Sequence, residues 1–392
     1  MPPDAEKHGR PLKVCFPFSG DSLGGSHMST LLLAVSLDRR ICEPLILVHR
    51  EGPLTDHLLQ RDIPFRRVPE QWILEYRART ALRDVVRLLP ATVTMQRMLD
   101  HERVDIVHAN DNRMGTTWGP AARLAGCRFI WHQRTRPVLS RRMRFFTTFA
   151  NYIVCVSDYC STPFRGPGFL DRVSVVDDPF CRPAGLSDKV VAKALLQAKL
   201  SVPSDTCIVT FAANILPHKR PLIFVEAAHH IAARSTRPVA FVVLGNADGP
   251  LFARMQQRIA ELGLTANFHF LGFCNPIEPW LRASDLLLAP SVEEGYGRTV
   301  VEAMLTETPV VAAASGGYCE VISSGTTGIL VPPDDVIALA EAALSILENS
   351  AYGSSLARSA LDFASRRLDV ETHVEKMTTI YRKLGPVLRK PA

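Results

Sequence analysis

The sequence predicts an α/β protein made of two doubly wound domains in tandem. Short apolar runs alternate with amphipathic stretches along all 392 residues, which is typical of parallel sheets covered by helices. This length exceeds what one hydrophobic core usually fills and suits two domains. A composition with 47% hydrophobic and 21% charged residues is that of a globular protein.

The first predicted domain, residues 1–183, contains six short apolar runs that are bounded by turn residues. Amphipathic stretches at 26–39 and 114–125 predict helices between some of these runs. Asp and Pro residues at 177–183 predict the end of the domain. The six predicted strands are 13–19, 43–49, 105–110, 128–133, 152–157 and 173–177.

The pattern restarts after a helical linker at 187–200 and predicts a second domain at 184–368. The remaining residues, 369–392, predict a C-terminal helix. Two similar α/β domains in tandem favour a ligand site in a cleft between them. The six strands predicted for the second domain are 207–212, 239–245, 268–272, 286–290, 309–313 and 328–331.

Net charge and cysteine content indicate the possible partners and the cellular compartment of the protein. The formal charge of +6 permits an anionic partner, or is that of an ordinary solvated surface. Nine cysteines without a C-x-x-C pair favour buried free thiols in a reducing compartment over disulfides or zinc ligands. No apolar run approaches the roughly 20 residues that span a bilayer, and residues 1–4 lead into polar residues without an apolar signal region. We therefore expect a cytoplasmic location.

The segment after the strand at 286–290 carries the most informative pattern. A turn containing Gly295, Tyr296 and Gly297 precedes a predicted helix, and a helix N-terminus with little side-chain obstruction suits a diphosphate. Glu294 lies in the turn and Glu302 lies one to two turns into the helix, so their carboxylates could bind hydroxyls at opposite ends of one ligand. The alternative is a helix start at which glutamate only favours the helix dipole.

Residues 291–304 reproduce S-x-x-E-G-[FY]-G-x-x-x-x-E-A-M, and further matches follow at 308–312, 315–322 and 328–333. The chain thereby resembles family 4 of the retaining glycosyltransferases, which have the GT-B fold of two Rossmann-like domains facing across a cleft. The resemblance implies that Glu302 binds the nucleotide ribose and Glu294 the donor sugar. It also implies that the N–H groups from Gly295 to Gly297 face sugar and diphosphate, and that the C-terminal helix crosses back to the first domain. We also expect Arg298, which directly follows this turn, in the donor site.

Two weaker matches concern the donor phosphates. Gly24 and Gly25, in a glycine-rich loop that opens a helix, resemble the family loop that approaches the donor phosphates and the acceptor. Lys219 matches a phosphate-binding lysine, whereas Asn214 stands where the family has an arginine. One of two expected cations is therefore missing, and Arg298 or Arg220 are candidates to replace it.

Two histidines resemble family positions at the ends of strands. His132 follows an apolar strand and is expected to lie near the reacting sugar, where it would hydrogen-bond the sugar or help the acceptor lose its proton. The alternative is a polar residue without a catalytic role at a strand end. His108 matches another family position that is more often structural.

The sequence contains no Asp-x-Asp and no clustered His, Asp and Cys with metal-ligand spacing. We therefore expect a reaction without metal or other cofactor. In that case Lys219 and the helix N-terminus at Gly297 would stabilise the charge of the departing diphosphate.

One basic segment has five arginines in eleven residues and is followed by phenylalanines. Arginines interleaved with apolar residues on a helix suit an anionic membrane surface or a phosphorylated acceptor. A solvated face with a buried phenylalanine edge is the alternative, and nothing indicates nucleic-acid binding. The residues are Arg134, Arg136, Arg141, Arg142 and Arg144, then Phe145, Phe146 and Phe149.

Together these features predict a retaining, hexosyltransferase-type enzyme that moves a sugar from a nucleotide-diphosphate sugar to an acceptor hydroxyl. The expected acceptor is a glycan or a lipid-linked glycan in the synthesis of cell-surface polysaccharide or glycolipid, with the enzyme peripheral to the inner face of the membrane. Two alternatives stay open at this point: a GT-B nucleotide-sugar epimerase, and a non-catalytic protein that binds a nucleotide sugar.

Overall fold

A computed structural model describes residues 10–69, 72–74, 82–169 and 171–386. The chain divides into two compact units, the first formed by residues up to Pro179 and from Val370 onward, the second by Phe180–Asp369. The N-terminal residues 1–4 and the last six residues of the predicted C-terminal segment lie outside the described residues.

The strands in these residues are short and mostly buried, as expected for sheets that are covered on both faces. They are β1 (Leu12–Phe18), β2 (Cys42–Val48), β3 (Arg66–Arg67), β4 (Ile106–Ala109), β5 (Arg128–Gln133), β6 (Tyr152–Cys155), β7 (Val173–Val175), β8 (Cys207–Ala212), β9 (Val239–Leu244), β10 (Phe268–Gly272), β11 (Leu286–Ala289), β12 (Val310–Ala313) and β13 (Ile329–Val331).

The helices alternate with the strands along the chain, apart from two that close the sequence. They are α1 (Gly25–Ser36), α2 (Pro53–Gln60), α3 (Leu82–His101), α4 (Asn112–Leu124), α5 (Arg141–Thr147), α6 (Asp158–Ser161), α7 (Lys189–Leu200), α8 (Pro221–Arg234), α9 (Gly249–Glu261), α10 (Glu278–Arg282), α11 (Arg298–Leu305), α12 (Tyr318–Val321), α13 (Val336–Leu347), α14 (Ser350–Arg367) and α15 (Val370–Leu384).

The first unit contains a parallel sheet with strand order β3-β2-β1-β4-β5-β6-β7. The chain moves outward from β1 in one direction and from β4 in the other, so right-handed crossovers place the helices on both faces. Helix α4 contacts α3 and α5 on one face, whereas α15 packs on α1. Met377 and Tyr381 of α15 are buried in the same apolar core as β1 and α1.

The second unit has a parallel sheet of order β10-β9-β8-β11-β12-β13. Strand order reverses between β8 and β11, and the loops that follow these two strands therefore leave the carboxyl edge of the sheet side by side. In doubly wound sheets this is the place where ligands bind. The core includes Phe211 of β8, Phe241 of β9 and Phe224 of α8.

The predicted fold class is confirmed, and most strands agree with the sequence prediction within two residues. Strands β5, β8 and β10 agree residue for residue. The prediction missed β3, whose two residues, Arg66 and Arg67, are exposed and charged. Such an edge strand is formed by its hydrogen bonds to β2 and leaves no apolar pattern in the sequence.

Candidate functional site

The loops after β8 and β11 bring together two residues that the sequence separately predicted for the donor site, Lys219 and Glu294. Lys219 lies in a short turn before α8, and its Nζ contacts Oε1 of Glu294, which lies in the turn before α11. These residues are 75 positions apart in sequence. The Lys219 side chain is 21% exposed and that of Glu294 is 13% exposed, so the pair is screened less by water than a surface ion pair.

Glycines shape the turn that holds Glu294. Gly297 precedes α11 with φ +91°, and a Cβ at this position would lie 2.3 Å from the Tyr318 ring. Below the turn, the N–H of Gly317 donates to the carbonyl of Glu294 at 2.8 Å. A Cβ on Gly316 would lie 2.4 Å from the same carbonyl oxygen. Because Gly316 and Gly317 have no side chains, the loop after β12 packs directly against the backbone of the turn that holds Glu294.

Helix α11 carries the second predicted glutamate. Glu302 Oε1 accepts a hydrogen bond from Nη2 of Arg298 at 3.2 Å, and the Glu302 side chain is 18% exposed. Burial raises the pKa of Glu302, and the Arg298 charge acts against that rise. The arrangement holds a carboxylate with remaining acceptor capacity one turn below the helix N-terminus.

An aromatic side chain that the sequence prediction did not assign to the site covers Arg298. The guanidinium carbon of Arg298 lies 4.3 Å from the ring centroid of Phe180, and Phe180 stacks on Tyr296 with 6.3 Å between centroids. In the sequence, Phe180 belongs to the segment 177–183 that was predicted to end the first domain. Its distance in sequence from the glycine turn explains why no motif pointed to it.

Asn214, which stands where the family arginine was expected, has a local structural role. Its Oδ1 accepts a hydrogen bond from the backbone N–H of Asn246 at 2.9 Å. This bond ties the loop after β8 to the loop after β9. Of the two candidate replacement cations, Arg220 pairs with Asp334 at 2.8 Å, whereas Arg298 lies beside Glu302.

The predicted glycine loop of the first unit caps α1. Gly24 precedes the helix and its N–H donates to Nδ1 of His27 at 3.0 Å, and Gly25 is the first helical residue. The same loop contains Asp21, whose Oδ2 accepts from Nη2 of Arg113 at 2.8 Å. The hydrogen bond from Arg113 holds the pKa of Asp21 well below its usual range. Sequence reasoning missed this pair, since its members are 92 residues apart.

His132 lies at the carboxyl end of β5 and is fully buried. Its Nδ1 is 3.1 Å from Nε2 of His108, and Nδ1 of His108 is 2.7 Å from the hydroxyl of Tyr381. Burial lowers the pKa of both histidines well below 6.5, and the Arg134 charge adds to the effect. His132, Gly24 and Gly25 belong to the first unit, and the other predicted site residues belong to the second.

The basic segment is not the continuous helical surface that the sequence predicted. Arg134 is buried, with 7% of its side chain exposed, and it forms an ion pair with Asp178, which is 4% exposed. Its Nη2 also donates to Thr30 Oγ1 at 3.0 Å. A buried carboxylate requires a charged partner, which explains why Arg134 faces inward. Helix α5 begins only at Arg141.

Three features of the described residues bear on metal binding, membrane insertion and disulfides. No group of three or more His, Cys, Asp or Glu side chains in these residues could hold a metal ion. Among their helices, none combines the length and apolarity needed to cross a bilayer. All nine cysteines are free, and six of them are buried, including Cys15, Cys155 and Cys207 on strands.

Two family models match the chain in the regions just described. The model described as "Glycosyl transferases group 1" matches residues 193–362, and the "Glycosyl transferase 4-like domain" model matches residues 24–166. The chain belongs to the group 1 glycosyltransferase family. The predicted family is therefore confirmed, and the two matches divide between the second and the first unit.

Relatives within this glycosyltransferase family act on diverse molecules. A D-inositol 3-phosphate glycosyltransferase of Nocardioides is 30% identical over 50% of this chain and 46% of its own length. The lipopolysaccharide core biosynthesis mannosyltransferase LpsB of Rhizobium meliloti is 32% identical over 36% of this chain and 42% of its own. The chain thus spans less than half the length of these curated relatives.

One solved structure similar over nearly the whole chain is Anabaena HepE in complex with UDP and glucose. Its TM-score is 0.80 at 22% identity, with 94% of this chain and 99% of that chain covered. A glycosyltransferase from Rickettsia africae gives a TM-score of 0.79 at 19% identity, with coverage of 95% and 98%. These likenesses show the fold, two Rossmann-like domains of the GT-B class.

Proposed function

We propose that this chain transfers a sugar from a nucleotide-diphosphate sugar to an acceptor hydroxyl with retention of the anomeric configuration. The observation that carries the proposal is the contact between Lys219 and Glu294 at the carboxyl edge of the second sheet. It places a cation and a carboxylate beside the N-terminus of α11. The cation can bind a diphosphate, and the carboxylate can accept hydrogen bonds from sugar hydroxyls.

We infer from this contact that Lys219 and Glu294 exchange partners when a donor binds. Lys219 and Glu294 neutralise one another in the free protein, so neither is an isolated charge in a half-buried site. A bound donor would give Lys219 a phosphate oxygen as its partner and Glu294 the hydroxyls of the sugar. As the bond to the sugar breaks, Lys219 and the α11 N-terminus stabilise the negative charge that develops on the leaving diphosphate.

Glu302 and Arg298 would complete the nucleotide half of the site. Glu302 would accept hydrogen bonds from the ribose hydroxyls, and the Arg298 charge acts against the rise that burial causes in the pKa of Glu302. Arg298 is held over Phe180 and lies directly after Gly297. It is therefore a better candidate than the Asp334-bound Arg220 for the second phosphate cation.

The proposed reaction uses no metal or other cofactor, and the nucleotide sugar is a substrate. Relatives support a nucleotide-sugar donor and a lipid-linked or surface glycan as acceptor. One of them is named as a UDP-Gal:alpha-D-GlcNAc-diphosphoundecaprenol alpha-1,3-galactosyltransferase of Escherichia coli, 23% identical over 78% of this chain and 80% of its own length. HepE was also solved with UDP-glucose, and its sequence is 22% identical to this chain.

One observation favours a second candidate, a non-catalytic protein that binds a nucleotide sugar. Asn214 replaces a cation of the resembled family, and its side chain is committed to Asn246. Such a protein would bind the donor and release intact donor. The alternative of an epimerase would instead change the donor when no acceptor is present.

A donor panel with product analysis separates these functions. Calorimetry with UDP- and GDP-sugars identifies the donor, and chromatography then follows the donor with and without candidate acceptors, in the presence and absence of excess EDTA. Transferase activity predicts acceptor-dependent release of nucleotide with retained configuration and an unchanged rate in EDTA. Binding without turnover on any acceptor would favour the binding protein, and loss of activity that Mg²⁺ or Mn²⁺ restores would contradict the metal-free reaction.

The acceptor side is proposed to approach an anionic leaflet at the cytoplasmic face of a membrane. Arg134 is buried, but Arg141 and Arg144 on α5 are exposed and lie near Phe145, which is 58% exposed. Phe146 is buried and anchors the helix. Arginines next to an exposed aromatic side chain combine electrostatic attraction with shallow apolar insertion.

Helix α3, in the same helix layer as α5, also has exposed apolar side chains. Val86, Leu89 and Val93 are exposed on α3, and their spacing places them on one face of the helix. Helix α4 contacts both α3 and α5, so the three helices cover the same face of the first sheet. This layer supplies more apolar surface for a membrane than the basic segment alone.

A further inference from the structure

Three aligned side chains of the first unit form a hydrogen-bonded relay that sequence motifs did not reveal. The hydroxyl of Tyr381 on α15 lies 2.7 Å from Nδ1 of His108 on β4. Nε2 of His108 lies 3.1 Å from Nδ1 of His132 on β5. All three side chains are fully buried. The remaining nitrogen, Nε2 of His132, is also buried and has no partner among the described residues.

Both histidines of the relay are neutral, so the position of one proton on each ring decides what the ring can do. The groups that face them are Arg134, His373 and each other. Burial, the positive charge of Arg134 and the neighbouring imidazoles all oppose protonation. A neutral imidazole has one N–H donor and one acceptor nitrogen, and the hydrogen bond at one nitrogen fixes the role of the other.

The hydroxyl of Tyr381 sets the direction of the relay. Its only hydrogen-bond partner among the described residues is His108. A phenol is a better donor than a neutral imidazole N–H, and an imidazole nitrogen is a better acceptor than a phenol oxygen, so the bond runs as O–H···Nδ1. His108 then carries its proton on Nε2 and donates to Nδ1 of His132. His132 consequently carries its proton on Nε2.

A neighbouring histidine has the opposite role. Nδ1 of His373 on α15 is 2.7 Å from the backbone carbonyl of Asp177 and must donate to it. Nε2 of His373 is therefore an acceptor, and it too is buried without a partner in the described part of the chain. The rings of His132 and His373 are parallel with centroids 6.5 Å apart. One offers an N–H donor and the other a lone pair, which is the combination that hydroxyl groups satisfy.

Another unpartnered polar group lies at the same level of the sheet. Ala109 pairs with Trp131 in the register of β4 and β5, so Asn110 follows beside His132. Both amide atoms of Asn110 are buried and lack a partner within the described residues. Buried polar atoms usually have hydrogen-bond partners, and several unpartnered ones together at the carboxyl edge of a parallel sheet indicate a place for a polar ligand.

We propose that Tyr381 is a positioning residue that acts through His108 to hold His132 as an Nε2–H donor toward a sugar hydroxyl. His132 is then a hydrogen-bond donor and does not remove the acceptor proton. The identity of the hydroxyl as that of a sugar rests on the proposed function; the tautomer of His132 does not. Of the two roles that the sequence left open for His132, the relay favours contact with the sugar.

The tautomers can be measured in the ligand-free protein, so the result does not depend on transferase activity. Long-range ¹H–¹⁵N correlation spectra of ¹⁵N-histidine-labelled protein distinguish Nε2–H from Nδ1–H rings, and His108→Gln and His132→Gln spectra assign the signals. We expect both rings as Nε2–H in the wild type. In Tyr381→Phe, Nδ1 of His108 loses its donor, and both rings should shift toward the Nδ1–H form.

Tyr152→Phe is the matched control, because Tyr152 is a buried tyrosine of the same unit whose hydroxyl lies 2.7 Å from Ser174 Oγ. It should leave both tautomers unchanged. An Nδ1–H ring at His132 in the wild type would overturn the proposal. Unchanged tautomers in a folded Tyr381→Phe protein would do the same.

Once a donor is identified, substitutions at His132 separate a donor from a base. A glutamine keeps an N–H donor, so His132→Gln should retain activity within about tenfold of the wild type, whereas His132→Leu loses the hydrogen bond altogether. A general base would instead make both variants equally inactive, typically by about a hundredfold or more. Equal, large losses in both variants would contradict the donor role.

Discussion

The polar centres of the two units are built in opposite ways. In the second unit, Lys219 and Glu294 are charges on loops whose side chains keep a small part of their surface exposed. In the first unit, His108 and His132 are neutral rings buried at the ends of strands. The first arrangement can exchange partners with an anionic ligand, whereas the second is fixed in direction by Tyr381. In the functions proposed above, charge would serve binding in the second unit, and the placement of protons would serve orientation in the first.

The largest expected effect is on the charged centre. Lys219→Ala should lower turnover about a hundredfold or more, since removing a preorganised donor to developing charge costs about 2.7–4 kcal/mol. Steady-state kinetics with the identified donor measure the loss. Arg234→Ala removes an exposed ion pair with Glu341 at the other end of α8 and should have no such effect. Activity of Lys219→Ala within a few-fold of the wild type would show that another cation does the work.

Acid should destabilise the histidine centre more than the charged centre. Burial lowers the pKa of His373 to about 4, while an unfolded histidine has a pKa near 6.5. The unfolded state thus gains a proton first, and the stability conferred by the neutral ring is lost as pH falls from 6.5 toward 4. The loss is about 3 kcal/mol by pH 4 for this residue.

Denaturant unfolding between pH 7 and pH 4.5 tests this prediction. His373→Gln should flatten the pH dependence of the free energy of unfolding. His218→Gln, at a less buried histidine of the second unit, should flatten it less. An equal effect of the two substitutions would contradict the difference between the centres.

The two glutamates of the second unit should differ in what they bind. Glu302→Ala should weaken binding of the bare nucleotide by about 1.5–3 kcal/mol, because it removes a charged acceptor for ribose hydroxyls. Glu294→Ala should affect the sugar-bearing donor more than the bare nucleotide. Titration calorimetry with both ligands measures this. The control is Glu226→Ala on α8, which breaks an ion pair with Arg258 of α9. Unchanged affinities in both variants would remove these residues from the donor site.

The smallest expected effect concerns the surface of the first unit. Each basic residue near an anionic leaflet contributes about 1 kcal/mol, so Arg141→Glu/Arg144→Glu should reduce sedimentation with anionic vesicles at low salt. Higher salt should weaken wild-type binding in the same way. Arg39→Glu/Arg40→Glu makes the same charge change after α1 and serves as the control. If the wild type stays in the supernatant, a soluble acceptor replaces the membrane proposal.

The sequence alone predicted the fold class, the family and the residues now seen in contact in the second unit. It could do so because the turn and helix at 291–304 form a contiguous motif, and because buried parallel strands leave apolar runs that are easy to recognise. The sequence also explained the glycines of the turn at 295–297, whereas the structure adds that close backbone approach excludes a side chain at Gly316 and Gly317.

Only the tertiary structure decided the partners of residues that are far apart in the chain. Tyr381 and His108 are separated by 273 positions, and neither periodicity nor a local motif relates them. Arg134 looked like one of five surface arginines until Asp178 was found beside it in the interior. A buried charge and a buried hydroxyl take whatever partner the fold brings to them, and for that reason a one-dimensional pattern does not reveal those contacts.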